Sequence, residues 1–188
     1  MEKTKNNSVL SALVIGLKLL LICAIIAGVV AFAYNLTKDK YAENQAAVKA
    51  EAIGAIFDLK DPKTEQIKGY DNVYVVYNGK DELQGFCVEV VEGSGYGGDI
   101  TMMVGYDATG KVCGVEIISH AETPGLGSNI ENESFRKQFL GMSGKINYSN
   151  VDGISGATYS SKAVTAGINK ATSTLAKALA SMGGAVNE

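Results

Sequence analysis

The chain has 188 residues, enough for one ordinary domain and an additional segment, because compact domains cluster around roughly 100–150 residues. Its formal net charge of −3 argues against nucleic acid as a partner, since nucleic-acid-binding domains present a basic face. With 22 glycines and only 2 prolines, the composition favours a folded, glycine-punctuated α+β domain over a disordered chain.

An apolar segment near the amino terminus predicts a membrane anchor. The sequence is apolar from Ser8 to Tyr34 except for Lys18, and its uninterrupted part, residues 19–37, matches the ~20 residues that a spanning helix needs. More lysines precede this part than follow it, which favours a single pass through the cell (inner) membrane with a cytoplasmic amino terminus and an extracytoplasmic domain. The lysines compared are Lys3, Lys5 and Lys18 before the span and Lys38 and Lys40 after it.

The same segment has two alternative interpretations. The sequence AFA at Ala31–Ala33, after a basic start and an apolar run, is also typical of a cleavable secretion signal. A lipoprotein signal with Cys23 as the lipidated residue fits less well, because Ile22 stands where such signals have a small side chain.

The segment after the span predicts one helix and then an antiparallel sheet. Apolar residues recur at a helical spacing in Asp39–Phe57, and Asp61-Pro62 is expected to end this amphipathic helix. Residues 72–91 alternate around Asn78-Gly79, which predicts a hairpin of two strands. Residues 100–119 predict two further strands that turn within 107–111.

The remaining segments flank this sheet. We expect an irregular loop over residues 120–128, a short helix over 133–141, a possible extended stretch over 145–154 and a final amphipathic helix over 160–182. The fold class is thus α+β, with a single amino-terminal transmembrane helix followed by an antiparallel-sheet domain with flanking helices. The predicted organisation is an amino terminus and anchor (1–37), an amphipathic connecting helix (38–60) and an extracytoplasmic domain (61–188).

The 3 cysteines do not predict a metal site. None belongs to a CxxC pair or has a histidine beside it, which are the usual arrangements of zinc ligands. Cys87 and Cys113 lie in apolar, strand-like runs, where we expect buried free thiols, and a disulfide, if present, would join these two residues.

The sequence VDGISGATYSSKAV, residues 151–164, is rich in small and hydroxylated residues and leads into the final helix. One interpretation is a helix amino cap, in which Ser160 or Ser161 accepts from the first backbone N–H groups. The other is a phosphate site, because the start of a helix offers free N–H donors and the positive end of a dipole. Neither this turn nor GSGYGG, residues 93–98, has the pattern or context of a nucleotide-binding loop.

Two motifs carry a resemblance to a known family. DGISGAT, residues 152–158, resembles the D-x-x-(S/T)-G-A-T motif at which a flavin transferase attaches FMN to the final threonine through a phosphoester. HAETPGLGS, residues 120–128, resembles the E-T-P-G-L-G loop that accompanies this motif. A chain with one membrane span followed by both motifs resembles the G subunit of the Rnf electron-transport complex. It is also similar to a relative of that subunit, the C subunit of the sodium-translocating NADH:quinone reductase.

The resemblance implies that Thr158 is the covalent FMN acceptor, which would make the chain a phosphoprotein as well as a flavoprotein. Ser160 is the nearest rival acceptor, and its alternative role, together with Ser161, is a hydrogen bond to the ester phosphate. The implied residues around the acceptor are Asp152, Ser155, Gly156 and Ala157.

The resemblance also implies that the E-T-P-G-L-G loop borders the isoalloxazine ring, with Leu126 on the face of the ring and with Thr123 and the backbone N–H groups of Gly125 and Leu126 as donors. The alternative is an ordinary proline–glycine turn that leaves Glu122 in solvent. His120 is a candidate proton donor or a structural loop histidine, and Tyr96 is a weaker candidate for contact with the ring. The cofactor-binding residues implied in this loop are Glu122, Thr123, Gly125, Leu126 and Gly127.

The function implied is that of an electron-carrying subunit of a membrane-bound ferredoxin:NAD+ oxidoreductase that couples electron transfer to Na+ or H+ translocation. Its partners would be the other membrane and iron–sulfur subunits of the complex and a flavin transferase during maturation; we expect no independent catalysis and no catalytic residue of its own. The alternatives are a free-standing extracytoplasmic flavoprotein, the C subunit of the quinone reductase, and a non-redox tethered domain in which the turn is only a cap.

Overall fold

The computed structural model describes the backbone of residues 2–184 and most of their side chains; the side chains of Lys3, Lys5 and Ser8, and residues 185–188 of the predicted domain, lie outside the described part. The chain divides into two compact units, with the boundary between Ala46 and Ala47. The first helix, α1, runs from Glu2 to Phe57 and contributes to both units.

The first unit consists of the amino-terminal part of α1. Its segment Leu13–Lys38 is long and apolar enough to cross a membrane, and it is the one segment with this property among the residues described. The large apolar side chains along it are exposed, from Leu13 to Leu36, as expected of a helix whose partner is lipid.

The helix predicted over Asp39–Phe57 is confirmed, and it continues the apolar segment before it as part of α1, without a break. The predicted end at Phe57 is confirmed as well, but Asp61-Pro62 is not what ends the helix. Asp58 adopts a left-handed backbone conformation, φ 54°, and the Leu59 N–H donates to the Gly54 carbonyl at 2.9 Å. This bond pattern satisfies a free carbonyl at the end of the helix, so α1 ends at Phe57 before the proline is reached.

The second unit contains a sheet of 5 antiparallel strands in the order β1-β2-β3-β4-β5. The predicted antiparallel α+β fold is therefore confirmed. Strand β1 is absent from the sequence prediction, because it is a polar edge strand in which only Ile67 is buried. The strands are β1 (Lys63–Ile67), β2 (Tyr70–Tyr77), β3 (Leu83–Glu92), β4 (Ile100–Asp107) and β5 (Val112–Ser119).

The segments after β5 contain short helical turns and one long helix. A 3₁₀ turn, Gly127–Glu131, leads into the short helix α2, Glu133–Lys137. The extended stretch predicted over residues 145–154 is wrong: a 3₁₀ turn, Tyr148–Asn150, forms where the Asn147 side chain accepts from the Ser149 N–H. The final helix, α3, spans Thr158–Gly184 and thus begins two residues earlier than predicted.

In the second unit, helices pack against both faces of the sheet. Side chains alternate along each strand, so Val73, Val88 and Val104 face α3 and pack with Ile168. The intervening positions, including Val76 and Met103, face the last turns of α1 and pack with Ala52 and Ile53. Burial on both faces makes the strands rigid supports for the loops that follow them.

Two glycines let α1 approach the sheet closely. A Cβ atom on Gly105 would lie 2.2 Å from Cγ2 of Ile56, and one on Gly114 would lie 2.9 Å from the same atom. Because the adjacent strands place these glycines opposite each other, they form a notch for the Ile56 side chain.

We expect Gly105→Ala to destabilise this unit by about 1–3 kcal/mol, because the added carbon forces Ile56 or its helix away from the sheet. Gly79→Ala is the matched control, since a Cβ there meets nothing within 4 Å. Thermal unfolding of the full chain in detergent, followed by tyrosine circular dichroism, measures the difference. Equal unfolding midpoints for the two variants would contradict the proposed notch.

The cysteines agree with the expectation of free thiols. Cys23, Cys87 and Cys113 are all unbonded, and Cys87 is fully buried between the sheet and α1. Burial raises the pKa of the Cys113 thiol to about 11 and also raises the pKa of the Cys87 thiol. Both thiols therefore stay protonated near neutral pH.

Candidate functional site

A pocket of about 540 Å³ lies where three segments of the second unit meet, within the range of roughly 300–1,000 Å³ typical of small-molecule sites. The segments are the glycine-rich loop between β3 and β4, the loop after β5, and the start of α3. The lining residues are Tyr96, Glu122, Thr123, Leu126, Gly127, Gly156, Ala157, Thr158, Tyr159 and Ser160. All of them except Tyr159 are among the cofactor-binding residues predicted from the sequence.

The turn that precedes α3 is fixed by its own hydrogen bonds. The Ala157 N–H donates to the Ile154 carbonyl at 3.0 Å, and Gly156 between them has a φ of 77°, which a residue with a side chain rarely adopts. The Ser161 hydroxyl donates to the Ala157 carbonyl and accepts from the Ile154 N–H, both at 3.0 Å. Ser161 therefore stabilises the turn from inside and is fully buried.

The hydroxyl groups at the start of α3 differ in their accessibility. Thr158 is the first residue of the helix, and it is exposed and lines the pocket. Ser160 is only 1% exposed, and its hydroxyl donates to Glu122 Oε2 at 2.5 Å. Neither Ser160 nor Ser161 caps the helix, because both lie inside α3 with other partners, so the capping interpretation of these serines is wrong.

Glu122 connects the three segments of the pocket. Its side chain is 5% exposed, and its Oε1 accepts from the Gly97 N–H at 3.0 Å while its Oε2 accepts from Ser160. A Cβ atom on Gly95 or on Gly127 would lie 2.5 Å from one of the carboxylate oxygens. The alternative that left Glu122 in solvent is therefore wrong, and the surrounding glycines are needed to make room for its carboxylate.

His120 lies beside the pocket but does not line it. Its Nδ1 accepts from the Glu122 N–H at 3.0 Å, and its Nε2 lies 2.9 Å from Glu131 Oε1. These contacts place the proton of the neutral ring on Nε2, where it donates to Glu131. The geometry favours the structural role for this histidine, because both ring nitrogens already have protein partners.

Several predicted residues lie outside the pocket lining or use their backbone amides within their own loop. Asp152 is exposed, and its backbone exchanges hydrogen bonds with the Gln138 side chain at 2.8 and 3.3 Å. The Gly125 N–H donates to Ser128 Oγ at 2.9 Å, and the Leu126 N–H donates to the Thr123 carbonyl at 3.2 Å. Both amides proposed as donors to a flavin thus have partners within the loop. Ser155 is exposed in the turn before α3 but does not line the pocket.

Tyr159 is a lining residue that sequence reasoning did not select. It is 68% exposed, and its ring centroid lies 6.4 Å from that of Tyr96, which is 73% exposed. The two rings come from different segments and flank the same pocket. The sequence signal that could have identified Tyr159 is its position as an aromatic residue just after the small-residue turn.

Comparisons with known proteins agree with this geometry. A family model described as "FMN-binding domain" matches residues 95–173, a range that includes every residue lining the pocket. The chain is 32% identical over 179 residues to the G subunit of the proton-translocating ferredoxin:NAD(+) oxidoreductase complex of Clostridium ljungdahlii, a match that covers 91% of this chain and 94% of that protein.

Further relatives bear related names. The chain is 36% identical over 106 residues to the G subunit of the Na(+)-translocating ferredoxin:NAD(+) oxidoreductase complex of Acetobacterium woodii, covering 50% of this chain and 51% of that protein. A solved structure of the C subunit of Na(+)-translocating NADH-quinone reductase from Parabacteroides distasonis shows 26% identity and a TM-score of 0.47, covering 57% of this chain and 61% of that chain.

The pocket thus belongs to an FMN-binding domain. The chain is a member of the G-subunit family of Rnf-type ion-translocating oxidoreductase complexes. Together with the apolar segment Leu13–Lys38, this membership indicates a membrane-anchored protein.

Proposed function

We propose that this chain is an electron-carrying subunit of an ion-translocating ferredoxin:NAD+ oxidoreductase and that it holds FMN through a phosphoester to Thr158. Membership of the G-subunit family supports the first part. One observation carries the second: of the two candidate acceptor hydroxyls, that of Thr158 is exposed at the pocket, whereas that of Ser160 is buried and bonded to Glu122.

The residues of the pocket fit FMN. The small residues Gly127, Gly156 and Ala157 line the pocket. Because they have little or no side chain, a planar ring and a phosphate can approach the backbone there. The exposed Tyr96, Tyr159 and Leu126 side chains supply apolar and aromatic surface for the ring. Thr158 is the first residue of α3, and the N–H groups at the start of a helix favour a negatively charged phosphate nearby.

The electrostatics of the pocket explain why a covalent bond is useful. Its lining includes no lysine or arginine among the described residues, and Glu122 is its only charged member. A free phosphate monoester would therefore meet helix N–H groups but no cation in the lining, and reversible binding would be weak. An ester to Thr158 lowers the charge of the phosphate and prevents the loss of the cofactor outside the cytoplasm.

The bound flavin would supply electron acceptance and release, while the chain positions it. Because relatives are named as subunits of ferredoxin:NAD(+) oxidoreductase complexes, we propose that the electron donor and acceptor are other membrane and iron–sulfur subunits of such a complex. Relatives are named for H+ and for Na+, and the proposal covers either coupling ion.

The proposed organisation follows from this function. Residues 1–37 would supply the cytoplasmic amino terminus and the inner-membrane span, residues 38–60 the connection, and residues 61–188 the extracytoplasmic flavin domain. The excess of lysines before the span supports this orientation. A flavin transferase would load the domain.

Coexpression of the full chain with a flavin transferase tests the proposal. We expect the intact mass to increase by one FMN, the colour to survive acid precipitation, and peptide mapping to place the added mass on Thr158. An unmodified, colourless polypeptide would contradict the covalent link. Co-purification of the other membrane subunits distinguishes a member of a complex from a free-standing flavoprotein.

A further inference from the structure

Lys162 is the basic residue nearest to Thr158 along α3. It follows Thr158 by four positions, and residues with this spacing lie on the same face of a helix with Cβ atoms about 5–6 Å apart. Both side chains are exposed. A lysine side chain is long enough to bring its ammonium group to a phosphate carried on the threonine hydroxyl.

The ammonium group of Lys162 has no carboxylate partner among the described residues. It lies 5.4 Å from the ring centroid of Tyr148, a cation–π contact of the weaker kind because the lysine is exposed. A phosphate oxygen offers this ammonium group a charge-assisted hydrogen bond, which is stronger than the contact with the ring.

The Tyr148 ring holds the ammonium group of Lys162 close to the attachment motif, residues 152–158. A Cβ atom on Gly153, within the motif, would lie 2.3 Å from the Tyr148 hydroxyl, so the ring packs directly against the motif. Lys162 and Tyr148 line a second pocket of about 510 Å³ together with Lys145. This pocket and the candidate flavin pocket share no lining residue, but α3 contributes to both.

We propose that Lys162 is the cationic partner of the phosphate on Thr158, and that it leaves the Tyr148 ring when the ester forms. This inference rests on the proposed covalent attachment. It supplies the positive charge that the lining of the flavin pocket lacks. Lys162 is thus a positioning residue, because it holds the phosphate while the flavin ring occupies the candidate flavin pocket.

Lysine acylation, measured by mass spectrometry on the full chain with and without FMN, tests the inference. We expect FMN attachment to slow acylation of Lys162 about three- to tenfold, because an ammonium paired with a phosphate deprotonates less readily. Lys177, an exposed lysine of the same helix, should be acylated at an unchanged rate. Added salt should reduce the protection of Lys162, since an exposed ion pair is screened.

A second lysine separates charge pairing from simple coverage by the flavin. Lys145 lines the same pocket as Lys162 but lies outside α3, so it should keep its acylation rate. Equal and salt-independent protection of Lys145 and Lys162 would show that the ring covers both, and it would overturn the inference. An unchanged rate at Lys162 in FMN-loaded protein would also overturn it, whereas a wild-type chain without FMN on Thr158 would contradict the proposed attachment itself.

Discussion

Thr158→Val should abolish covalent FMN attachment completely, with no added mass after coexpression with a flavin transferase. Valine keeps the shape of threonine but removes the hydroxyl that forms the ester. The nearest rival hydroxyl in the pocket cannot replace it, because Ser160 is 1% exposed and donates to Glu122. Intact-mass measurement of the purified full chain gives the result directly.

Two further variants define the acceptor. Thr158→Ser should keep the added mass, because it restores a hydroxyl at the same exposed position. Ser160→Ala should also carry FMN on Thr158, although it loses the hydrogen bond to Glu122. FMN that remains in Thr158→Val and disappears in Ser160→Ala would show that the serine is the acceptor.

Glu122→Ala should lower the free energy of unfolding of the domain by about 2–4 kcal/mol, because it leaves the Gly97 N–H without its acceptor and opens a space between the glycine-rich loop and α3. The Ser160 hydroxyl loses its partner as well. Thermal or denaturant unfolding of the full chain in detergent measures this effect.

The conservative variant Glu122→Gln should be destabilised much less, since an amide oxygen can still accept from the Gly97 N–H and the amide N–H₂ can donate to the Ser160 oxygen. Glu65→Ala is a matched control, because Glu65 is exposed on the edge strand β1. If Glu122→Ala and Glu65→Ala have equal free energies of unfolding, the Glu122 carboxylate does not hold the segments of the pocket together.

The central strands of the sheet could be predicted because they are short runs rich in apolar, β-branched and aromatic residues that are separated by turn sequences. Strands β2–β5 are of this kind, since their side chains pack against α3 on one face and against α1 on the other. Strand β1 could not be found this way: its sequence KTEQI is mostly exposed, and the strand exists because it pairs with β2. The pairing of a polar edge strand with its neighbour produces no periodic pattern of apolar residues from which the strand could be predicted.

The site was predictable in its motifs but not in its internal contacts. The turn at residues 154–157 and the loop at residues 122–127 each have a recognisable local sequence. The burial of Glu122 depends on Gly97 and on Ser160, which lie 25 and 38 positions away in the chain. Such long-range contacts are set by the sheet that brings the segments together, so a local pattern could equally indicate a solvent-exposed turn.

The strands of the sheet pair in the order in which they are synthesised, so each can join its neighbour as the chain emerges. The pocket, in contrast, takes its third wall from α3, which follows all the strands. A nascent domain thus has two walls of the pocket and no acceptor hydroxyl until its last helix docks. Maturation of this protein is consequently expected to be a post-translational step that acts on a domain already folded.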